Sequence, residues 1–245
     1  MHKKLKLQLN EVFDAPKPMK KEEFLRSFDF PKTSYTQFIM TQIGFIRKRV
    51  WAATTIVMML MIASSYMYTS DTLLKVIWIS SSLAPFIALV SITEVLRSSS
   101  CSMEEIEKSC KYSLGHIVLV RLGIVGIFNF VIFFIANFVL NRSIEIGMLR
   151  LGIYLVVPFL LTCILSLSVM NKMQQKEITY ICAGVSGIVS LLNNIIVLQY
   201  TWLFTQKYTG AWMIIGIILF LGLIKEVKKI FIRMEELQWN SLLTA

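Results

Sequence analysis

Six stretches without a charged residue punctuate this chain: 50–68, 76–93, 122–141, 151–171, 178–206 and 208–224. They hold 19, 18, 20, 21, 29 and 17 residues. A helix rises about 1.5 Å per residue, so about 20 apolar residues cross a hydrocarbon layer roughly 30 Å thick. The run of 29 is too long for one upright crossing. Its second part, 199–206, mixes aromatic and amide residues of the sort that settle at a membrane surface, so a helix ending near Tyr200 and then a connector are expected. Charged residues make up 16% of the chain, against roughly a quarter in soluble domains.

The expected fold class is an all-α membrane protein with about six transmembrane helices. The spans are placed at about 50–68, 73–95, 114–140, 151–171, 178–200 and 208–224, forming a domain over 50–224 with a loop at 97–112. A basic arm over 1–33, broken by Pro16, Pro18 and Pro31, precedes it, and a tail over 225–245 follows. No short apolar core with a cleavage site opens the chain, so the first span is expected to direct insertion.

Charge sets the expected orientation. Of 25 Lys and Arg residues, only Lys75, Arg142, Arg150 and Lys207 fall on one side of the spans, and the other 21 fall on the opposite side. Basic residues gather on the cytoplasmic face, which puts both termini inside a multi-pass plasma-membrane protein. The same distribution accounts for the net charge of +10 without nucleic acid, because the cations cap apolar runs and form no single basic face.

Two inner segments carry helical patterns of their own. Over 34–49, Ser34 and Gln37 have capping-box spacing, and Tyr35, Phe38, Ile39, Ile43 and Ile46 recur at helical intervals before the cluster Arg47, Lys48, Arg49. Such a helix can lie among inner headgroups, or it can simply extend the first span. In the loop at 97–112, Ser102 and Glu105 repeat the capping spacing, Glu104 stands in the first turn, and Met103, Ile106 and Cys110 form a short apolar edge. Glu107, Lys108 and Lys111 occupy the rest of that helix.

Recognised chemistry is missing. The sequence holds no phosphate loop, dinucleotide fingerprint, zinc-binding H-E-x-x-H or nucleophile elbow. Cys101, Cys110, Cys163 and Cys182 form no C-x-x-C pair, and His2 and His116 are isolated, so no metal site is expected. Asn129, Asn137, Asn193 and Asn194 sit inside spans, where amides join helices or line a pathway. Pro85 and Pro158 are expected to kink their spans, and Gly184 and Gly187 to allow close helix approach. Glu94 and Arg121, near the inner ends of spans two and three, are expected at similar depth, where charges pair or snorkel.

The layout as a whole resembles the membrane subunits of type-2 ATP-binding-cassette (ABC) exporters, the small bacterial six-span kind. The segment EVLRSSSCSMEEIEKSCKYSLGHIVLVR (94–121) looks like their inner loop, and YTQFIMTQIGFIRKRVW (35–51) looks like their elbow helix. The resemblance implies that 103–111 is a coupling helix, with Met103, Glu104, Glu105, Ile106, Glu107 and Cys110 docking on an ATPase, and that Tyr35, Phe38, Ile39, Ile43 and Ile46 belong to the elbow. It also implies a permease dimer, homo- or heteromeric, which exports an amphipathic cargo such as an antimicrobial peptide, a lipid or a drug. The chain would then be a transport subunit and no enzyme, with ATP and Mg bound on the partner ATPase. The short outer connectors depart from larger exporters of this type. A membrane-embedded signalling or regulatory protein is the alternative.

The charge bias makes orientation testable. Cysteines introduced by Lys20→Cys and Glu235→Cys should resist an impermeant maleimide in intact cells and react after permeabilisation. Labelling of either from outside would invert the reading.

Overall fold

The structure, a computed structural model, describes residues 34–67, 73–100, 114–144, 147–172 and 178–243. Among these are seven α-helices and no strand. They are α1 (Tyr35–Phe45), α2 (Lys48–Met67), α3 (Leu73–Ser100), α4 (Leu114–Ile144), α5 (Met148–Lys172), α6 (Ile178–Gln199) and α7 (Thr209–Leu243), with two short 3-10 turns, Thr201–Phe204 and Gln206–Tyr208, between α6 and α7. Five segments are long and apolar enough to cross a membrane: Leu74–Val95, Gly115–Arg142, Met148–Lys172, Ile178–Gln199 and Gln206–Arg233. Residues of the first expected span form α2, 20 residues long.

Residues 39–245 make one compact unit. The stretch ending at Phe38 is a separate unit, of which the first turn of α1 is described. There the Phe38 N–H donates to the Ser34 carbonyl at 3.0 Å, and the Ser34 hydroxyl lies 3.1 Å from that of Thr36. The basic arm and the coupling positions Met103 to Cys110 lie outside the described residues.

Within the compact unit α3 and α5 are central. Helix α3 packs against α2, α4, α5 and α6, whereas α5 packs against α3, α4, α6 and α7. Their apolar sides meet in a core that includes Ile77, Ala84, Ile87, Leu151, Tyr154 and Leu155. Helix α7 is peripheral: none of its most apolar stretch is buried, and Ile214, Ile217, Ile218 and Leu221 face outward. In water such a surface would drive aggregation, but against lipid it is the favourable surface.

One boundary is corrected: helix α3 runs on to Ser100, so residues 97–100 belong to the helix and not to a loop beginning at 97. The expected tail at 225–245 continues α7 as helix to Leu243. Lys225, Glu226, Lys228 and Lys229 end the apolar run but have good helix propensity, and charge alone does not stop a helix.

Glycine and proline act where backbones turn or approach. Gly147 has φ +98°, a left-handed conformation that L side chains disfavour, and it turns α4 into α5. Its N–H donates to Asn141 Oδ1 at 3.0 Å, while its carbonyl accepts from the N–H groups of Arg150 and Leu151. Helices α3 and α5 pass through Pro85 and Pro158. Each proline removes a helical donor, Pro158 from the Tyr154 carbonyl and Pro85 from the Ser81 carbonyl. Close by, Thr162 Oγ1 donates to the Pro158 carbonyl at 2.8 Å, and Ser190 Oγ of α6 donates to the Ser82 carbonyl at 2.9 Å. Gly184 and Gly187 make no close approach among the described residues, since a Cβ at either would meet nothing within 4 Å. It occurs instead at Gly152, where a Cβ would lie 2.7 Å from Asn137 Nδ2.

That contact gives a test of the α4 and α5 packing. Gly152→Ala should destabilise the purified protein by about 1–3 kcal/mol, the usual cost of overpacking. Adding Asn137→Ala, which removes the opposing amide, should make the Gly152 change far milder. Thermal unfolding in detergent measures both, and equal costs in the two backgrounds would disprove the contact.

Candidate functional site

Polar groups inside the helices fall into two sets, one at the expected inner ends and one within the bundle. The inner set begins at the break between α1 and α2. Helix α1 stops at Phe45, and α2 starts at Lys48. Ile46, only 4% exposed, fills the bend by packing with Val50 and Val125. The break separates α1 from α2, which holds the residues of the first expected span.

Both members of the expected pair reach this bend. Glu94 is 8% exposed, and its Oε1 accepts from the backbone N–H of Arg47 at 3.3 Å. The Arg121 Nε donates to Gln42 Oε1 at 2.8 Å, and its guanidinium lies 6.0 Å from the centre of the Phe45 ring. Gln42 is itself buried. Thus the lower part of α3, through Glu94, and the start of α4, through Arg121, both hold the segment from Gln42 to Arg47. The undescribed residues 101–113 join those same two helices. A separate tie joins α5 to α7, with Asn171 Nδ2 donating to Glu226 Oε2 at 2.8 Å and Arg233 donating to the Asn171 carbonyl.

The second set is a seam of neutral hydrogen bonds. Asn193 Nδ2 of α6 donates to Ser81 Oγ of α3 at 2.7 Å, and the Ser82 hydroxyl donates to Asn194 Oδ1. Asn129 Nδ2 of α4 donates to Ser91 Oγ at 2.6 Å, while that hydroxyl donates to its own helix at the Ile87 carbonyl. Asn137 Nδ2 donates to the Met148 carbonyl at 2.7 Å. Four asparagines anticipated as polar features therefore serve as links between segments. The serines opposite them went unrecognised, although the run Ser80, Ser81, Ser82 inside a span was the available signal.

Several buried polar atoms have no hydrogen-bond partner among the described residues, including Trp78 Nε1, Ser80 Oγ and Asn129 Oδ1. An aromatic cap closes the other end of the bundle. Tyr154, Phe204 and Trp212 have ring centres 5.0 to 5.5 Å apart, the Trp212 indole N–H donates to the Leu203 carbonyl at 3.0 Å, and Arg150 donates to the Phe204 carbonyl.

Among the described residues no group of three or more His, Cys, Asp or Glu could hold a metal. Cys163 and Cys182 are buried free thiols. The seam supplies neutral hydroxyls and amides, which recognise and position polar groups but do not by themselves give an acid–base pair. No protein-family model, characterised protein or solved structure matches the chain.

The seam makes a quantitative claim. In a double-mutant cycle, Ser81→Ala and Asn193→Ala should couple by about 0.6 kcal/mol, with an upper range near 1.7, as hydrogen bonds between membrane helices do. Thermal stability of the four variants in detergent provides the cycle, and strict additivity would remove the bond from the energetics.

Proposed function

We propose that this chain is the permease subunit of an ATP-driven exporter of the type-2 ABC kind, in which two permease chains form the pathway and separate ATPase subunits hydrolyse ATP. The observation that carries the reading is the convergence of Glu94 and Arg121 on the bend between α1 and α2. A transport cycle driven from outside the membrane needs a receiving element whose displacement moves several helices together. Residues 101–113 are joined directly to α3 and α4, whose inner portions are bonded to the α1–α2 bend. Force applied to that loop would therefore reach three helices through short polar links. Helix α1, with Met40 and Phe45 exposed beside its basic end, suits a place among headgroups on the same side.

ATP closure of the partner subunits would shift the permease between states of different substrate affinity. The apolar, lipid-facing bundle favours an amphipathic cargo over a highly charged solute. The chain would stand in the plasma membrane with both termini in the cytoplasm.

The decisive test replaces the apolar edge of the expected coupling helix. Met103→Glu with Ile106→Glu should weaken association with the ATPase at least about tenfold, equivalent to about 1.4 kcal/mol. ATPase turnover stimulated by this chain in nanodiscs should fall in parallel, and the purified chain should unfold at its usual temperature. Unchanged association and stimulated turnover would defeat the coupling role and favour the signalling alternative.

A further inference from the structure

Helices α4, α5 and α7 enclose an open groove of about 660 Å³. Its walls include Phe134, Ile153, Val157, Met213, Ile217 and Phe220, its bed includes Gly216, and Asn137 is its one side chain with a hydrogen-bonding group. Along α5 the lining runs from Met148 to Leu160, a rise of about 18 Å. That is a little over half of a hydrocarbon core roughly 30 Å thick, the depth of about one leaflet. The groove begins at the α4–α5 connector, where Met148, Leu149 and Asn137 stand, and descends toward mid-membrane.

Length and chemistry suit one occupant. The groove runs about 18 Å as an open apolar slot, and one extended aliphatic chain fits along it. The lining offers dispersion contact and almost no hydrogen bonding, the chemistry of a hydrocarbon ligand. At the connector end Arg142 is exposed, a cation at the depth where a lipid phosphate sits.

We propose that this groove holds one acyl chain of a phospholipid from the leaflet at the α4–α5 connector, with the phosphate at the level of Arg142. The inference does not depend on the export reading, because it concerns binding by the isolated chain.

The test uses the full chain in phosphatidylglycerol nanodiscs that contain a small share of phosphatidylglycerol with a mid-chain diazirine. After photolysis, labelled peptides should concentrate on α5 and α7 along the groove, several-fold above those from the lipid-facing side of α6 at Leu191 and Leu198. A Cβ at Gly216 meets only Val157 Cγ2 at 3.8 Å, so Gly216→Leu should fill the groove and reduce that labelling at least about threefold. Ile217→Trp, at a position already 61% exposed, should do the same without disturbing the core. Gly187→Leu, at a position where an added Cβ meets nothing within 4 Å, should leave the labelling unchanged. Labelling spread evenly over all exposed helices, or unaffected by both filling changes, would overturn the proposal. Efficient disulfide linkage between two chains carrying Ile217→Cys would overturn it as well, by showing that a second copy covers the groove.

Discussion

A backbone amide in hydrocarbon has no solvent to fall back on, and each unpaired one costs several kcal/mol. That constraint reaches nearly every feature of this protein. It favours continuous helices over the apolar runs, and among the described residues the glycine with a left-handed φ, Gly147, stands at a connector. It also extends to side chains. Thr54, Ser91 and Thr162 return their hydroxyl protons to carbonyls of their own helices at 2.8 to 2.9 Å, so these three polar residues are carried through the bundle with their donors satisfied.

The same physics explains which parts of the fold were legible. Helices α3 to α7, which hold the five segments long and apolar enough to cross a membrane, were readable because the cost of burying charge in lipid marks such segments on the sequence itself; the connector after Tyr200, found as two 3-10 turns, was readable from its aromatic and amide residues. The end of α3 was placed too early because loss of apolarity is not loss of helix: Arg97 and Lys225 end apolar runs, and the helix continues past both. Pairwise facing was not readable at all. Asn193 is visible as an amide in a span, but only tertiary packing sets it against Ser81, and only packing turns Gly152, and not Gly187, into the close approach.

Glu94 and Arg121 show how an expectation about depth can leave the partner open. Two opposite charges near the same membrane surface suggest one another, yet a backbone N–H and a glutamine amide are also at hand in the bend that follows α1. A carboxylate that accepts from a main-chain donor gains a charge-assisted bond whose geometry the helix start helps to fix. The result is a junction in which hydrogen bonds from Glu94 and Arg121 tie α3 and α4 to the segment that joins α1 and α2.

Helix α7 has a mechanical consequence. Its 35 residues make a rod of about 52 Å, roughly 20 Å longer than a hydrocarbon core is thick. It is gripped laterally, by α5 and α4, and through the Asn171 links to Glu226 and Arg233, while much of its surface borders lipid. A stiff rod held along one side pivots as a unit, so a small tilt at the level of Trp212 becomes a larger sideways excursion at Leu243. The far end of the chain is thus a built-in pointer, and a fluorophore or spin probe attached there would read out rearrangements of the bundle with amplification.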